Sequence, residues 1–248
     1  MNPIVLIPAR LAASRLLGKP LADIGGLPMI VRVLRAAEAA GVGPVAVAAG
    51  DAAIVEVVEA AGGRAVLTDP DLPSGSDRIL AALESLDPDE RHDVIINLQG
   101  DMPFVGPALL SNLAGRFADH PALEMATLVA PEASPDDRTN PNVVKAIVSL
   151  GRGADFGRAL YFTRSTLYGD GPVWRHIGLY GYRRAALRQF VEAAAPSPLE
   201  RREGLEQLRA LELGVSIWAA VVDAAPLSVD TPADLDAARQ FAALRSPP

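Results

Sequence analysis

The sequence predicts an α/β protein with a mostly parallel central sheet flanked by helices. Over the first half, short runs rich in β-branched residues alternate with Ala-rich amphipathic stretches, the pattern of repeated strand–helix–strand units. Hydrophobic residues make up 50% of the 248 residues, enough to bury both faces of such a sheet. After Asp119 the runs read as strands with little helix between them. We therefore expect one domain over residues 1–248, with a mixed-strand region at about 120–182.

The first half divides into seven predicted elements. Pro28 suits the first position of a helix, the Gly62-Gly63 pair suits a helix end, and Ser76 is the expected N-cap of the third helix. In chain order we predict a strand at 3–7, a helix at 28–40, a strand at 44–49, a helix at 52–61, a strand at 65–68, a helix at 77–86 and a strand at 93–98. Parallel strands in this order connect through right-handed crossovers.

The second half returns from strands to helices near residue 183. Ser197-Pro198-Leu199-Glu200 fits a capping box, so Glu200 is assigned to structure rather than to catalysis. The last helix is expected to begin at Thr231-Pro232, with Asp234 completing its cap. The predicted elements are strands at 125–130, 143–149, 159–162 and 174–182, helices at 183–194 and 198–213, a strand at 216–222, a helix from 232, and a frayed tail after 245.

Composition argues against several classes of function. A net charge of −7 and an aromatic content of 5% disfavour nucleic-acid binding. No apolar run approaches the roughly 20 residues that span a bilayer, so no membrane contact is expected. Arg10, Arg15 and Lys19 interrupt the stretch where a signal peptide is apolar, and there is no cysteine for disulfides or thiolate chemistry. We therefore expect a cytoplasmic protein.

The loop after the first strand concentrates positive charge. Arg10, Arg15 and Lys19 lie there, whereas the first acidic residue of the chain is Asp23. Ligands of open parallel sheets bind at the carboxyl ends of the strands, where this loop begins. A charge held ~4 Å from a phosphate oxygen contributes about 4 kcal/mol at an effective dielectric of ~20, before desolvation is subtracted. We interpret the loop as a phosphate site, with a solvated surface loop as the alternative.

Other common site motifs do not fit. Pro20 follows Gly18-Lys19 where a P-loop needs a hydroxyl, and Ala13 stands where its first glycine would be. The glycines between residues 151 and 157 lack the dinucleotide-binding spacing, which disfavours a nicotinamide enzyme. The sequence contains no serine nucleophile motif, so a covalent hydrolase is not expected.

Two aspartates stand where they can face the same crevice. Asp101 follows the predicted strand 93–98 after a glycine, and Asp230 precedes the last helix without an obvious capping role. Carboxylates that converge on a triphosphate need a cation between them, and oxygen ligands without cysteine suit Mg²⁺. For either residue alone, an ordinary loop aspartate is an equal alternative. Together with the basic loop, the pair predicts a metal-bridged phosphate site.

Three further polar positions stay open. The segment Ser74–Arg78 precedes a helix and could be no more than its cap. Lys145 lies in an apolar strand, where an ammonium is costly without a partner unless the strand is at a sheet edge. His176 lies in an aromatic, glycine-rich strand.

Several sequence blocks occur in a familiar order. They are Ile7-Pro8-Ala9-Arg10, Ser14-Arg15, Gly18-Lys19-Pro20, Ser74-Gly75-Ser76-Asp77-Arg78, Gln99-Gly100-Asp101, Asn140-Pro141-Asn142-Val143-Val144-Lys145, residues 176–182, residues 197–209 and Val229-Asp230-Thr231-Pro232. This set resembles the CMP-sugar-acid synthetases over nearly the whole chain. The blocks at 176–182 and 205–209 favour the 3-deoxy-manno-octulosonate (KDO) cytidylyltransferase family, the CMP-KDO synthetases, over the sialate relatives.

This resemblance implies a Rossmann-like nucleotidyltransferase fold, a homodimer formed by the mixed-strand region, and Mg²⁺ as cofactor. It implies transfer of CMP from CTP to the anomeric 2-hydroxyl of KDO, with release of pyrophosphate, for lipopolysaccharide biosynthesis. By matching positions, the catalytic residues would be Arg10, Lys19, Asp101 and Asp230, with the metal on Asp101 and Asp230. The nucleotide would be bound by Pro8, Ala9, Arg10, Ser14, Arg15, Lys19, Ser74, Arg78 and Gln99, and the sugar acid by Gln99, Lys145, His176, Tyr180, Glu206 and Gln207.

Two positions depart from the family pattern, and three rival hypotheses remain. Met102 stands where relatives usually carry an acidic residue, and Leu17 where they often carry a proline that stiffens the loop. One rival is a synthetase for 8-amino-KDO or a sialate-like acid. A second is a nucleotide-sugar glycosyltransferase, because Asp69-Pro70-Asp71 follows a strand. The third is a non-catalytic nucleotide-binding regulator.

Overall fold

The computed structural model describes residues 1–12, 16–193 and 196–245, which form two compact units. The terminal unit comprises residues 2–111 together with the described chain from Pro226 onward. The middle unit comprises Met1 and residues 112–225. The assignment of the whole chain to a single domain stays a prediction.

The terminal unit opens with alternating strands and helices. In chain order these are β1 (Pro3–Ala9), β2 (Asp23–Ile24), β3 (Leu27–Pro28), α1 (Met29–Ala40), β4 (Val45–Ala49), α2 (Ala52–Ala60), β5 (Ala65–Leu67), α3 (Gly75–Leu86) and β6 (Val94–Leu98), with a 3₁₀ turn at Lys19–Leu21. All seven elements predicted for this stretch are present, with bounds shifted by no more than about two residues. The short β2–β3 hairpin is absent from the sequence predictions.

Four parallel strands form the sheet of the terminal unit, in the order β5-β4-β1-β6. Val5 of β1 lies opposite Val45 of β4 on one side and Ile96 of β6 on the other. β1 and β6 are buried along their whole length, because helices cover both faces of a parallel sheet. The prediction of a mostly parallel sheet is confirmed for this unit, and its strand ends carry the loops that matter below.

The start of α3 differs from the prediction. Ser74, not Ser76, is the N-cap, and its Oγ accepts hydrogen bonds from the backbone N–H groups of Ser76 and Asp77 at 3.1 and 3.2 Å. Ser76 lies in the first turn and is buried. The helix begins two residues earlier than predicted, and this brings the oxygen of the earlier serine within reach of the unpaired amides of the first turn.

The middle unit begins within α4 (Pro107–Asp119), a helix that the sequence prediction missed. It continues with β7 (Met125–Pro131), a 3₁₀ turn at Pro135–Arg138, β8 (Lys145–Ser149), β9 (Phe156–Thr163), β10 (Trp174–Arg183), α5 (Arg184–Glu192), α6 (Pro198–Glu203), α7 (Gln207–Glu212) and β11 (Ile217–Val221). The chain then returns to the terminal unit and ends in the predicted last helix, α8 (Pro232–Arg245).

The strands of the middle unit form a mixed sheet, as predicted, in the order β10-β7-β11-β9-β8. β7 is parallel to β11 and antiparallel to β10, and β9 is antiparallel to both β8 and β11. β8 also pairs with the start of β10. β10 carries an irregularity between Ile177 and Tyr180, the kind of bulge that redirects side chains along a strand.

The predicted helix at 198–213 is in fact two helices. α6 ends at Glu203 and is capped by Gly204, which has φ of 64°, and α7 begins at Gln207. The left-handed conformation at the end of a helix is one that glycine adopts at little cost, so this glycine ends α6. The capping box of Ser197 and Glu200 is confirmed. None of the described helices is long and apolar enough to cross a membrane.

Candidate active site

A cleft of about 270 Å³ lies in the terminal unit at the carboxyl ends of β1 and β6. The loop after β1 is anchored at two points, because Gly50 N–H donates to Ala9 O and Leu11 N–H donates to Asp51 Oδ2, both at 2.8 Å. The residues that line the cleft are Pro8, Ala9, Arg10, Ala12, Leu16, Lys19, Pro20, Ser74, Gly75, Arg78, Gln99, Gly100, Asp101 and Asp230. Of the predicted nucleotide-binding residues, Ser14 and Arg15 lie outside the described residues.

Lys19 joins the two predicted metal ligands. Its Nζ lies 3.3 Å from Asp101 Oδ2 and 3.1 Å from Asp230 Oδ1. The Lys19 and Asp101 side chains are only 16% and 22% exposed, so these ion pairs are partly shielded from water. The structure thus brings together three of the four residues predicted to be catalytic. The fourth, Arg10, is exposed and lines the same cleft.

Two backbone features hold the aspartates in place. Val229 N–H donates to Asp101 O at 2.9 Å, which ties the segment after β6 to the segment before α8. Asp234 Oδ2 accepts from Asp230 N–H at 3.0 Å, and from Thr231 N–H and Thr231 Oγ at 2.8 Å each. The predicted cap of α8 is therefore present, and it also fixes the backbone of Asp230.

The carboxylate pair has the properties of a divalent-cation site. Asp101 Oδ1 is buried and has no hydrogen-bond partner among the described residues, which is costly for a carboxylate oxygen. Burial raises the pKa of Asp101, while the nearby Lys19 ammonium opposes that shift. No group of three or more His, Asp or Glu side chains within the described ranges could hold a metal alone. Two carboxylates completed by water or phosphate oxygens suit Mg²⁺.

Gln99 and Arg78 reach the cleft from β6 and α3. Gln99 Nε2 donates to Asn97 Oδ1 at 3.0 Å, which orients the Gln99 amide. Arg78 is buried and donates to Thr68 Oγ at 2.7 Å, Asp69 O at 2.9 Å and Pro70 O at 3.2 Å. Burial lowers the pKa of Arg78, and so does the neighbouring Arg10. Both side chains are held by internal bonds before any ligand arrives.

The segment Asp69-Pro70-Asp71, whose first two carbonyls accept hydrogen bonds from Arg78, forms an exposed turn. Asp69 Oδ1 accepts from Asp71 N–H at 2.9 Å, so the first carboxylate closes its own turn. The first carboxylate of the pattern that suggested a glycosyltransferase therefore has a local partner.

The two positions that depart from the family pattern differ in burial. Leu17 is exposed, and Met102 is buried after β6. A buried thioether at 102 packs as a core residue, so this position contributes no charge to the cleft.

In the middle unit, the structure brings His176 and Tyr180 of β10 together with Thr127 of β7. His176 Nε2 lies 3.1 Å from Thr127 Oγ, and the two aromatic rings lie 5.3 Å apart. The single hydroxyl hydrogen of Thr127 goes to Ile177 O or Leu179 O, at 3.0 and 2.9 Å, so Thr127 Oγ accepts from the ring. Nε2 therefore carries the ring hydrogen and Nδ1 is the acceptor.

Burial keeps both aromatic side chains neutral. It lowers the pKa of His176 to about 3 and raises the pKa of Tyr180 well above its usual value. The charges of Tyr182 and Glu206 add to the upward shift of the Tyr180 pKa, so Glu206 lies close enough to Tyr180 to interact with it electrostatically. At neutral pH the site offers hydroxyl and imidazole groups rather than a histidine cation.

Glu206 and Gln207 lie at the start of α7, in the same unit. Glu206 Oε1 accepts from Arg209 Nη2 at 3.1 Å, and the buried Arg209 guanidinium stacks over Phe190 at 4.4 Å. Gln207 is buried, and its Nε2 has no hydrogen-bond partner within the described ranges. A buried amide donor without a partner is costly, so this atom is a candidate for contact with a ligand oxygen.

From the sequence, a position at the edge of the sheet was one explanation for a lysine in an apolar strand. The structure does not place Lys145 at an edge. It is fully buried in β8 between Thr163 of β9 and Arg175 of β10. Its Nζ donates to Asn140 O at 2.9 Å and Arg164 O at 2.8 Å, which supplies the missing partners. Burial lowers the pKa of Lys145, and the Arg164 charge adds to that shift.

Sequence reasoning missed three residues that support these sites, namely Asp51, Asn97 and Thr127. Asp51 follows β4 at the same edge of the sheet as Asp101, so its position was a usable signal. Asn97 is a lone amide in an apolar strand, and this is a weaker signal of a functional role. Thr127 gives no signal, because its role depends on pairing between β7 and β10, about 50 residues apart.

A basic loop and a carboxylate pair at the carboxyl ends of a parallel sheet fit a nucleotidyltransferase, and the comparisons with known proteins show that class. The family model described as Cytidylyltransferase matches residues 4–217. The 3-deoxy-manno-octulosonate cytidylyltransferases of Rhodospirillum centenum and Parvibaculum lavamentivorans are 58% and 57% identical to this chain, over 96% and 99% of it and 92% and 94% of their own lengths. The chain belongs to this cytidylyltransferase family, within its 3-deoxy-manno-octulosonate branch.

Solved structures support the same assignment. A CMP:2-keto-3-deoxy-manno-octonic acid synthetase complexed with CTP is 36% identical, with a TM-score of 0.89 over 99% of this chain and 100% of that one. A nucleotidyl transferase from Methanothermobacter thermautotroptrophicus shares 17% identity and a TM-score of 0.62 over 99% of both chains, which is a likeness of fold alone. The predicted Rossmann-like nucleotidyltransferase fold is confirmed.

Proposed function

We propose that this protein transfers CMP from CTP to the anomeric 2-hydroxyl of KDO, giving CMP-KDO and pyrophosphate for lipopolysaccharide biosynthesis. The observation that carries the proposal is the 58% identity to a 3-deoxy-manno-octulosonate cytidylyltransferase over 96% of the chain. The cleft chemistry agrees with it, since a basic loop and paired carboxylates suit a metal-bound triphosphate.

Within this proposal, the terminal unit binds the nucleotide. Arg10, Lys19, Gln99 and Ser74 line the cleft. Arg10 and Lys19 would neutralise the phosphates, and Gln99 and Ser74 would contact the base and ribose. Arg78 would act through the bonds that hold the 68–70 segment at the cleft wall. The full proposed set is Pro8, Ala9, Arg10, Ser14, Arg15, Lys19, Ser74, Arg78 and Gln99.

Asp101 and Asp230 are the proposed ligands of Mg²⁺. Support comes from the buried, unpartnered Asp101 Oδ1 and from the oxygen-only donor set. When bound, Mg²⁺ supplies Lewis-acid polarisation of the α-phosphate and lowers the pKa of the attacking hydroxyl, effects worth several kcal/mol.

The middle unit is proposed to bind the sugar acid. Neutral His176 would accept a sugar hydroxyl at Nδ1, and Gln207 Nε2 would donate to an oxygen of the substrate. Tyr180, Glu206 and Lys145 of the same unit belong to the proposed set. Gln99 of the terminal unit is the remaining residue proposed to contact the sugar acid. Donors and acceptors held by internal bonds favour polyhydroxylated acids, because an analogue lacking a hydroxyl leaves a buried polar atom unpaired.

In the proposed mechanism, the anomeric hydroxyl attacks the α-phosphorus in line. A new phosphorus–oxygen bond forms, the bond from the α-phosphorus to the α–β bridging oxygen breaks, pyrophosphate leaves, and the hydroxyl proton passes to solvent. Arg10 and Lys19 stabilise the charge that builds on the α-phosphate and the leaving group. Most of the rate enhancement then comes from positioning and charge neutralisation, and no side chain is assigned as a general base.

We also propose that the protein is a cytoplasmic homodimer built through the mixed-strand region. Ile147 of β8 and Leu160 of β9 are exposed apolar side chains that such an interface would cover. Light scattering coupled to gel filtration measures the mass directly. Replacing both residues with Lys should yield a monomer of unchanged helix content.

The reaction is tested by following pyrophosphate release from CTP. The purified protein is incubated with CTP and Mg²⁺ in parallel reactions, each containing one of the acids KDO, 8-amino-KDO or sialate. Release that requires CTP, metal and KDO supports the proposal, and the ratio of kcat/KM values ranks the acids. Binding of CTP without release on any acid would overturn it and favour a regulator.

A further inference from the structure

Lys19 occupies the position that a shared cation would take. Its ammonium bonds to one oxygen of each aspartate, Asp101 Oδ2 at 3.3 Å and Asp230 Oδ1 at 3.1 Å. Its backbone belongs to a short 3₁₀ turn held by Leu21 N–H to Gly18 O at 2.9 Å and Ala22 N–H to Lys19 O at 3.1 Å. The stem is therefore fixed in the first loop, while rotation of the side chain alone can move the ammonium.

We propose that Lys19 and the divalent cation compete for Asp101 and Asp230, so that the metal binds both carboxylates only after Lys19 has left them. The proposal rests on the metal ligands assigned above. A divalent ion held by Asp101 and Asp230 would contact the two carboxylates that Nζ contacts now, so it would lie close to Nζ whichever oxygen of Asp101 it used. Two cations at such short range repel in a partly buried cleft, where water screens them poorly.

A triphosphate would give Lys19 another anionic partner. Lys19 lines the nucleotide cleft, and its flexible stem can carry the ammonium from carboxylate to phosphate oxygens. Departure of Lys19 then opens the carboxylates to metal, so nucleotide and metal bind cooperatively. By linkage, each ligand raises the affinity for the other by the same factor. Lys19 would thus couple loading of the metal to the presence of the nucleotide.

The proposal is tested by binding of Mn²⁺ alone, without nucleotide, followed by the electron paramagnetic resonance signal of the free ion. The Lys19→Met variant keeps an unbranched side chain of nearly the same length and removes the competing ammonium. We expect its dissociation constant for Mn²⁺ to be at least about fivefold lower than that of the wild type, a difference of roughly 1 kcal/mol. An equal or weaker affinity in Lys19→Met overturns the proposal, as does no measurable binding to that variant.

Two control variants separate competition from a general loss of charge. Arg10→Met removes one positive charge from the same cleft without breaking a contact to either aspartate, and we expect less than a twofold change. A gain as large as that of Lys19→Met would overturn the proposal. The double variant Lys19→Met/Asp101→Asn should lose the gain, and a gain that persists would place it elsewhere.

The wild-type assay keeps the two proposals apart. Pyrophosphate release by the wild type tests the proposed reaction without reference to Lys19. If release occurs and Lys19→Met leaves the Mn²⁺ affinity unchanged, the reaction stands and the competition fails. If release does not occur, the reaction fails, whatever the Mn²⁺ titration gives.

Discussion

Asp51 accepts a hydrogen bond from the backbone N–H of Leu11 at 2.8 Å, although the two residues follow different strands of the parallel sheet. This bond and the one from Gly50 N–H to Ala9 O fasten the start of the basic loop to the end of β4. The loop that carries Arg10 is therefore held against the sheet at two points. Burial lowers the pKa of the nearby Arg78, and the Asp51 carboxylate opposes that shift, so it stabilises positive charge at this end of the cleft.

The Asp51 contact predicts a defect in nucleotide binding. Asp51→Ala removes the acceptor and frees the loop, so we expect KM for CTP to rise about tenfold, equivalent to ~1.4 kcal/mol, a typical value for a hydrogen bond to a charged group. Asp51→Asn retains an acceptor oxygen and should lie closer to the wild type. Steady-state pyrophosphate release measures KM for CTP in both variants. An unchanged KM in Asp51→Ala would show that the loop is held by other contacts.

Asp101→Asn should abolish turnover without loss of the fold. The substitution removes one of the two proposed metal ligands, and the loss of several kcal/mol of transition-state stabilisation corresponds to about a thousandfold in rate. One oxygen of the carboxylate is buried and burial raises its pKa, so a neutral amide of the same shape should keep the free energy of unfolding within about 1 kcal/mol of the wild type.

Activity with Mg²⁺ and urea denaturation check the two halves of that prediction. Asp236→Asn is the matched control, since Asp236 is an exposed aspartate of α8 in the same unit. It should leave both quantities unchanged. A rate near that of the wild type in Asp101→Asn would remove Asp101 from the metal site.

The cleft could be predicted from sequence because its residues lie at strand ends. In a parallel sheet the carboxyl ends share one edge, so the basic loop after β1 and Asp101 after β6 had to be neighbours. Asp230 could be added because Thr231 and Asp234 already accounted for the helix cap. The ion pairs that join Lys19 to both aspartates could not be foreseen, because side-chain partners depend on rotamers that spacing does not specify.

Other errors have local physical causes. Ser74 and Ser76 are both good N-caps, and only the position at which α3 begins distinguishes them. The break at Gly204 follows from a left-handed backbone, which a glycine permits but does not require. The partners of Lys145 are backbone carbonyls, which have no identity in sequence. Helix α4 was missed although Pro107 marks its first residue.

His176 predicts a specific dependence of stability on pH. In the unfolded chain its pKa is near 6.5, and in the folded protein burial lowers it to about 3. Between these values the unfolded state binds more protons, so the free energy of unfolding falls as the pH falls from about 6.5 towards 3. His176→Gln removes this contribution. Between pH 7 and 4.5 its free energy of unfolding should therefore fall by about 2.5 kcal/mol less than that of the wild type.

Urea denaturation at several pH values measures the difference. His120→Gln is the control, because it removes an exposed histidine of the same unit. Its stability curve should run parallel to that of the wild type. Equal slopes for His176→Gln and the wild type would mean that the buried imidazole is protonated in the folded protein, and would contradict the neutral state assigned to it.

Lys145→Met should destabilise the middle unit although it replaces a buried charge with an apolar side chain. The apolar side chain removes the desolvation cost of the ammonium, which lowers the pKa of Lys145. Against this gain, the carbonyls of Asn140 and Arg164 lose their donor, at about 1–3 kcal/mol each. Glu203, whose charge favours the ammonium, also loses a cation nearby. The losses exceed the gain, and we expect the free energy of unfolding to fall by about 2 kcal/mol.

Urea denaturation of Lys145→Met beside Arg152→Met, which removes an exposed cation from the same unit, tests this balance. Arg152→Met should unfold with the wild type. If Lys145→Met is as stable as the wild type, the carbonyls of Asn140 and Arg164 must accept hydrogen bonds from water or another donor. The wild-type ammonium would then not be needed for stability and would be available to bind the substrate. In that case a rise in KM for KDO at full stability would assign Lys145 to the substrate. A fall in stability with unchanged KM would assign it to the architecture of β8, β9 and β10.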